Sequence, residues 1–243
     1  MISQQRFSLM PTVVKNLLII NGLVFLGMVS IRSTFGVDIT QWLGLYFPAS
    51  ESFNPFQLIS HMFMHGNFRH IISNMIMLWF LGSAMENHWG SQRFLIYYIL
   101  TGLGASALQI GVNGYEYFNI LAQLSADNAQ LVLSEGADLI QRNYNYSDPS
   151  MGALNRLLNT PMVGASGAVF GVLLAFGMTF PNQVIYLNFF FPIKAKYFVI
   201  GYGLFELYNG FSVSNSGVAH FAHLGGMLFG YILIRRWKKS RYL

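Results

Sequence analysis

Gly164-Ala165-Ser166-Gly167-Ala168-Val169-Phe170-Gly171 opens an apolar segment with a run of small residues and a single hydroxyl among them. A helix that begins shortly after Pro161 places Ser166 in its first turn. There, free backbone N–H groups and the positive end of the helix dipole favour a developing negative charge. Gly167 and Gly171 lie four residues apart, a spacing that lets a neighbouring helix come close. Taken alone, the run is equally ordinary packing material of membrane helices.

A second apolar segment gives the serine a possible partner. His223, Gly226 and Gly230 fall at i, i+3 and i+7, one stripe of a helix. If the two glycine-notched faces meet, an imidazole stands beside the hydroxyl, as nucleophilic catalysis requires. An ionisable group inside a membrane helix is costly and marks a functional position. His220, one turn earlier and nearer the helix end, reads as a satisfied polar group. His70 and Asn74, at i and i+4, lie on one face about 6 Å apart along a helix axis. Both can donate hydrogen bonds to an oxyanion, together with the Ser166 amide. His61, His65 and His70 are alternatively zinc ligands, but no Glu follows His61 as in zinc proteases and no carboxylate completes the set.

Composition fixes the solvent. The 243 residues are 53% hydrophobic and 9% charged, far below the ~25% charged residues of soluble domains. The absence of cysteine removes disulfides, thiolate metal sites and thiol nucleophiles from consideration. The formal charge of +5 comes mostly from segment ends and from the tail Arg235-Arg236-Trp237-Lys238-Lys239. Lipid headgroups fit that placement better than nucleic acid. No cofactor is expected.

Six spans of near-bilayer length follow: residues 13–29, 70–85, 94–110, 163–180, 196–208 and 218–234. The fifth is the shortest, and Phe189-Phe190-Phe191 before Pro192 suits an interfacial position. The first lacks a small-residue cleavage site and reads as a retained helix. Residues 1–243 form one all-α membrane domain, with 111–162 an external insertion between the third and fourth spans that carries one or two surface helices. Residues 30–69, rich in aromatics and prolines, are expected to pack in the interface. Ten Lys and Arg on one side against four on the other put both termini in the cytoplasm, and a bacterial inner membrane is the favoured location. Asn145-Tyr146-Ser147 is a glycosylation acceptor only in a secretory pathway.

Several of these pieces occur together, in order. His61-Met-Phe-Met-His65 is followed by His70-Ile-Ile-Ser-Asn74, Leu81-Gly82 with Glu86, Gly164-Ala165-Ser166-Gly167, and Ala222-His223-Leu224-Gly225-Gly226 with Gly230. From about Phe56 to Tyr231 the chain resembles the rhomboid intramembrane serine proteases. The resemblance implies a six-helix bundle and a Ser-His dyad without an acidic third member. It makes Ser166 the nucleophile, His223 the general base and acid, and His70 and Asn74 the oxyanion donors. Phe170 would lie against the catalytic imidazole, and the fifth helix would admit transmembrane substrates from the side. Peptide bonds in or near easily unwound transmembrane segments are the implied targets. Many members carry Trp-Arg where this chain has Phe56-Gln57, and the insertion exceeds the compact family core. Glu206, in the fifth span, is given no partner and reads as a polar group facing the bundle or a water-filled cavity. A catalytically silent scaffold that binds membrane proteins and a histidine-based metal carrier are the competing functions.

Overall fold

One helix is buried on nearly every side. In the computed structural model, which describes residues 8–187, 190–212 and 218–240, this is the helix that begins at Ser166. Arg6, Phe189 and Arg241 lie outside the described residues.

Helix α1 (Thr12–Phe35) leads through two short helices, α2 (Thr40–Leu43) and α3 (Gln57–Ser60), and a 3-10 turn (His61–Phe63) to α4 (Phe68–Met77). A π turn, Leu78–Gly82, joins α4 to α5 (Ser83–Trp89), so these pieces make one crossing. Then come α6 (Ser91–Leu121), α7 (Ala126–Gln141), α8 (Pro149–Asn159) and α9 (Ser166–Thr179). An antiparallel hairpin of β1 (Val184–Leu187) and β2 (Phe191–Lys194) precedes α10 (Ala195–Ser212) and α11 (His220–Ser240). The six crossings are α1, the α4–α5 unit, α6, α9, α10 and α11. Among the described residues, α1 and α6 are long and apolar enough to span a bilayer by length and composition, and α9 is apolar but shorter. The others are interrupted by the π turn, or carry Lys196 and Glu206 in α10 or the basic end of α11.

The apolar surface is placed for lipid. On α1 only Val14, Leu17, Asn21 and Met28 are buried, a stripe at helical spacing, while Ile19, Leu23, Leu26 and Val29 are exposed. On α10 only Ala195, Val199 and Glu206 are buried. In α9, by contrast, every residue from Gly167 to Leu173 is buried.

Helices α6, α9 and α11 approach so closely that only glycine fits between them. A Cβ on Gly226 would overlap the Gly167 carbonyl oxygen, and one on Gly171 would lie 2.6 Å from the Thr101 Cβ. A Cβ on Gly230 would overlap the Tyr97 hydroxyl, which donates to the Gly171 carbonyl at 2.8 Å. Contact between backbones is how membrane helices gain packing where lipid offers no hydrophobic drive.

Glu86 does a different task. Buried at the C-terminal end of the second crossing, its carboxyl accepts from the Val13 amide at 2.9 Å, the Val14 amide at 2.8 Å and the Ser91 hydroxyl at 2.6 Å. Pro11 at the start of α1 offers no side-chain cap, so Glu86 serves the first turn of α1 from another helix.

Helix α6 runs to Leu121, past residue 110 where the third span was expected to end. The extension, α7 and α8 form a small cluster around Val132, Leu154 and Leu158, against which Phe47 of the first loop packs. Asp148 caps α8 by accepting from the Met151 amide at 2.8 Å, and Pro149 opens its first turn. Asn145, of the glycosylation triplet, donates its side-chain amide to the Gly152 carbonyl at 3.0 Å.

The first loop is tied down by a neutral side chain. Gln57, 1% exposed, accepts from the amides of Tyr46 and Asn54 and donates to the carbonyls of Trp42 at 3.2 Å and Ser52 at 2.8 Å. An isolated bridge between Leu45 and Met162 joins this loop to the segment before α9.

Two substitutions test this account in the detergent-purified chain. Gly226→Ala is expected to lower the thermal unfolding midpoint, through overpacking of about 1–3 kcal/mol. Gly111→Ala, with open space around it in the same bundle, should be neutral or slightly stabilising. Glu86→Ala should also lower the midpoint, because it strips two helix-terminal amides of their acceptor at ~1–3 kcal/mol each.

Candidate active site

Ser166 is the first residue of α9, and the turn before it requires glycine. Gly164 adopts φ +130 and donates its amide to the His61 carbonyl at 2.9 Å. A Cβ there would be strained, and it would stand 2.9 Å from the His70 ring and 3.5 Å from the Ser166 hydroxyl. The empty side of Gly164 is therefore the space between His70 and Ser166.

The Ser166 Oγ lies 2.8 Å from Nε2 of His223, which is buried in the second turn of α11. The contact of Gly226 with Gly167 sets this separation, since each lies within a turn of the polar side chain on its own helix. Phe170, one turn after Ser166, stacks on the imidazole with ring centroids 4.1 Å apart and planes 3° from parallel. Tyr202 of α10 stacks on Phe170 in turn, at 5.1 Å. The ring of His223 is thus fixed in plane as well as in position.

Opposite the serine stands α4. Asn67 caps it by accepting from the His70 amide at 2.9 Å, which fixes His70 in the first turn. Asn74 is 4% exposed, and its Nδ2 has no hydrogen-bond partner among the described residues. Such an orphan donor is expensive to bury unless something accepts from it. A cavity of about 440 Å³ contains these groups, lined by His70, Asn74, Gly164, Ser166, Tyr202 and His223. That is within the usual ~300–1,000 Å³ of a ligand site.

The remaining histidines separate. His61 bonds the Gln57 carbonyl through Nδ1 at 2.7 Å and the Ser106 hydroxyl through Nε2 at 3.2 Å, so it braces the loop against α6. His65 sits edge-on to His70 with ring centroids 5.1 Å apart. His61, His65 and His70 do not converge as a ligand set. Among the described residues, the one such convergence of three groups is Glu206, His220 and His223, within 4.8 Å of one another.

That trio is what sequence reasoning missed. Glu206, 3% exposed, places Oε2 2.9 Å from Nδ1 of His223 and 2.6 Å from Nδ1 of His220. Glu206, left without a partner in the sequence reading, therefore meets His223, and His220 shares the same carboxyl oxygen. An acidic residue in an apolar span was the available signal. Which ring it would meet could not be read from spacing, because Glu206 and His223 lie on different helices.

Comparisons with known proteins agree in one direction. The Rhomboid domain family model matches residues 52–238. The chain is 31% identical over 188 residues to RHOMBOID-like protein 12, mitochondrial, of Arabidopsis thaliana, covering 76% of this chain and 47% of that protein. It is 28% identical over 178 residues to RHOMBOID-like protein 4 of the same plant, covering 73% of this chain and 32% of that protein. It is also 30% identical over 73 residues to Rhomboid protease GlpG of Klebsiella pneumoniae, covering 30% of this chain and 26% of that protein. The chain spans half or less of the length of these curated relatives. One relative is named as mitochondrial and another comes from a bacterium, so they lend no support to the expected bacterial inner membrane. With the family domain covering most of its length, this chain belongs to the rhomboid family, and its fold is a polytopic membrane bundle of helices.

Proposed function

We propose that the chain is an intramembrane serine endopeptidase, with Ser166 as nucleophile and His223 as general base and acid. The observation that carries this reading is the 2.8 Å contact between the Ser166 Oγ and the His223 Nε2. It lies in a cavity that also presents His70 and an Asn74 amide with no partner among the described residues.

The chemistry follows from those positions. Nε2 of His223 accepts the hydroxyl proton as Oγ bonds to the carbonyl carbon of a substrate peptide. The oxygen that gains charge is met by donors from His70, Asn74 Nδ2 and the first-turn amide of Ser166, none of which must reorganise. The tetrahedral intermediate collapses, the C–N bond breaks, and the proton on Nε2 passes to the leaving amine. Water then attacks the acyl-enzyme by the same route in reverse, which frees the serine and a carboxylic acid. No cofactor is needed for any step.

Substrates are transmembrane proteins cut in or next to their apolar segments. A peptide bond within a stable helix hides its carbonyl, so segments that unwind easily are favoured. Helix α10, buried along only a narrow stripe, is the wall through which such a segment enters from the lipid. The basic ends of α5, α6 and α11 gather at one end of the bundle, where Arg93 lies 4.3 Å over the Trp237 ring. We assign that end, and with it both termini, to the cytoplasmic or equivalent face.

Cleavage of a transmembrane reporter by the purified chain tests the proposal. Ser166→Ala should abolish turnover while leaving the unfolding midpoint in place, and His223→Ala should abolish turnover as well, with a lower midpoint because Glu206 loses a buried partner; retained cleavage by either variant refutes it. Asn74→Ala should lower kcat by roughly 10²–10³-fold with little change in KM, the usual cost of one oxyanion donor.

A further inference from the structure

The imidazole of His223 is bonded at both ends. Nε2 faces the Ser166 hydroxyl of α9 at 2.8 Å, and Nδ1 faces the carboxyl of Glu206 on α10 at 2.9 Å. A neutral imidazole carries one ring proton, so Nε2 can accept from serine only when that proton resides on Nδ1. An acceptor held against Nδ1 fixes this tautomer and stabilises the imidazolium formed when the serine proton arrives.

We propose that Glu206 is a positioning residue for the reaction, the third member of a relay Ser166–His223–Glu206 that spans α9, α11 and α10. This inference rests on the reading of Ser166 as nucleophile. The proton balance is simple: the serine O–H bond breaks, its proton moves to Nε2, and the Nδ1 proton stays on the ring. Glu206 is not protonated at any step. His220, one turn before His223 on α11, bonds the same carboxyl oxygen at 2.6 Å and pins it from a second direction.

The geometry distinguishes this assignment from a metal centre. Two ligands on one tetrahedral zinc, each bonded at ~2.0 Å, stand roughly 3.3 Å apart. Here the donor and acceptor atoms are 2.6 and 2.9 Å apart, the lengths of charge-assisted hydrogen bonds.

The relay crosses between helices, and that has a functional outcome. Its acid rides on α10, a helix with few buried residues, whereas serine and histidine ride on the tightly packed α9 and α11. Displacement of α10 outward opens the Glu206–His223 bond, and its return remakes it. General-base catalysis is then strongest when α10 has closed again, which couples substrate admission to proton transfer.

The test uses the purified full chain and a transmembrane reporter. Glu206→Gln keeps volume and an acceptor but removes the charge. It is expected to lower kcat by about 10–10³-fold, below the ~10⁴ lost when the acid of a soluble serine protease triad is replaced. KM and the unfolding midpoint should stay where they are. Glu206→Asp should recover part of the rate, and labelling of Ser166 by a fluorophosphonate should slow in parallel with kcat. A Glu206→Gln enzyme as fast as an active wild type overturns the relay while leaving the protease reading intact. A wild type that does not cleave, or a Ser166→Ala variant that does, removes that underlying reading instead. If Glu206→Gln raises KM and lowers the midpoint without Asp recovery, Glu206 is a packing residue and the relay is overturned. Stoichiometric zinc held by the wild type, lost in Glu206→Gln, with turnover rising on chelation, overturns it in favour of a metal centre.

Discussion

Backbone contact between α9 and α11 at Gly167 and Gly226 sets the separation of the serine and the imidazole in the cavity. In lipid, helices gain nothing by hiding apolar side chains from one another, so association depends on packing and hydrogen bonds. Glycine supplies the first by removing side chains from the interface, and Tyr97 supplies the second by donating to the Gly171 carbonyl. Once the two axes are that close, a hydroxyl at the start of α9 and an imidazole near the start of α11 fall within bonding distance. Phe170 then holds the plane of the ring.

Rigidity is unevenly shared. Helices α6, α9 and α11 interlock through glycines, and α1 is fastened to the second crossing by Glu86. Helix α10 has only three buried residues in 18, and its contacts with α9 and α11 include Val199, Glu206 and the aromatic stack of Tyr202 on Phe170. Elements that move in function come from the less stabilised end of a structure. Here the less stabilised helix also holds a polar group of the cavity.

Much of this arrangement is legible in the sequence, because the membrane reduces the choices. Six apolar blocks can only be helices when every backbone amide must be satisfied internally. Glycine spacing on the segments of Ser166 and His223 marks the faces that meet. What stays hidden depends on pairing between distant elements. Glu206 is visible as an intramembrane acid, but its partner depends on how α10 lies against α11. The hairpin of β1 and β2 is hidden because residues 184–194 read equally well as an interfacial aromatic stretch. The run of α6 through Leu121 is set by tertiary packing against α7 and α8, not by a break in the local pattern. In the same way Gln57, where the family resemblance leads one to expect a cation, looks like the loss of an anchor until its four hydrogen bonds are seen.

That glutamine changes how the loop beside the cavity responds to its surroundings. A guanidinium hub would feel nearby anionic lipids, and its grip would weaken as ions screened it. An uncharged amide gives and accepts the same hydrogen bonds at any ionic strength and neither titrates nor attracts a counterion. The first loop of this chain should therefore hold its shape equally in acidic and zwitterionic bilayers.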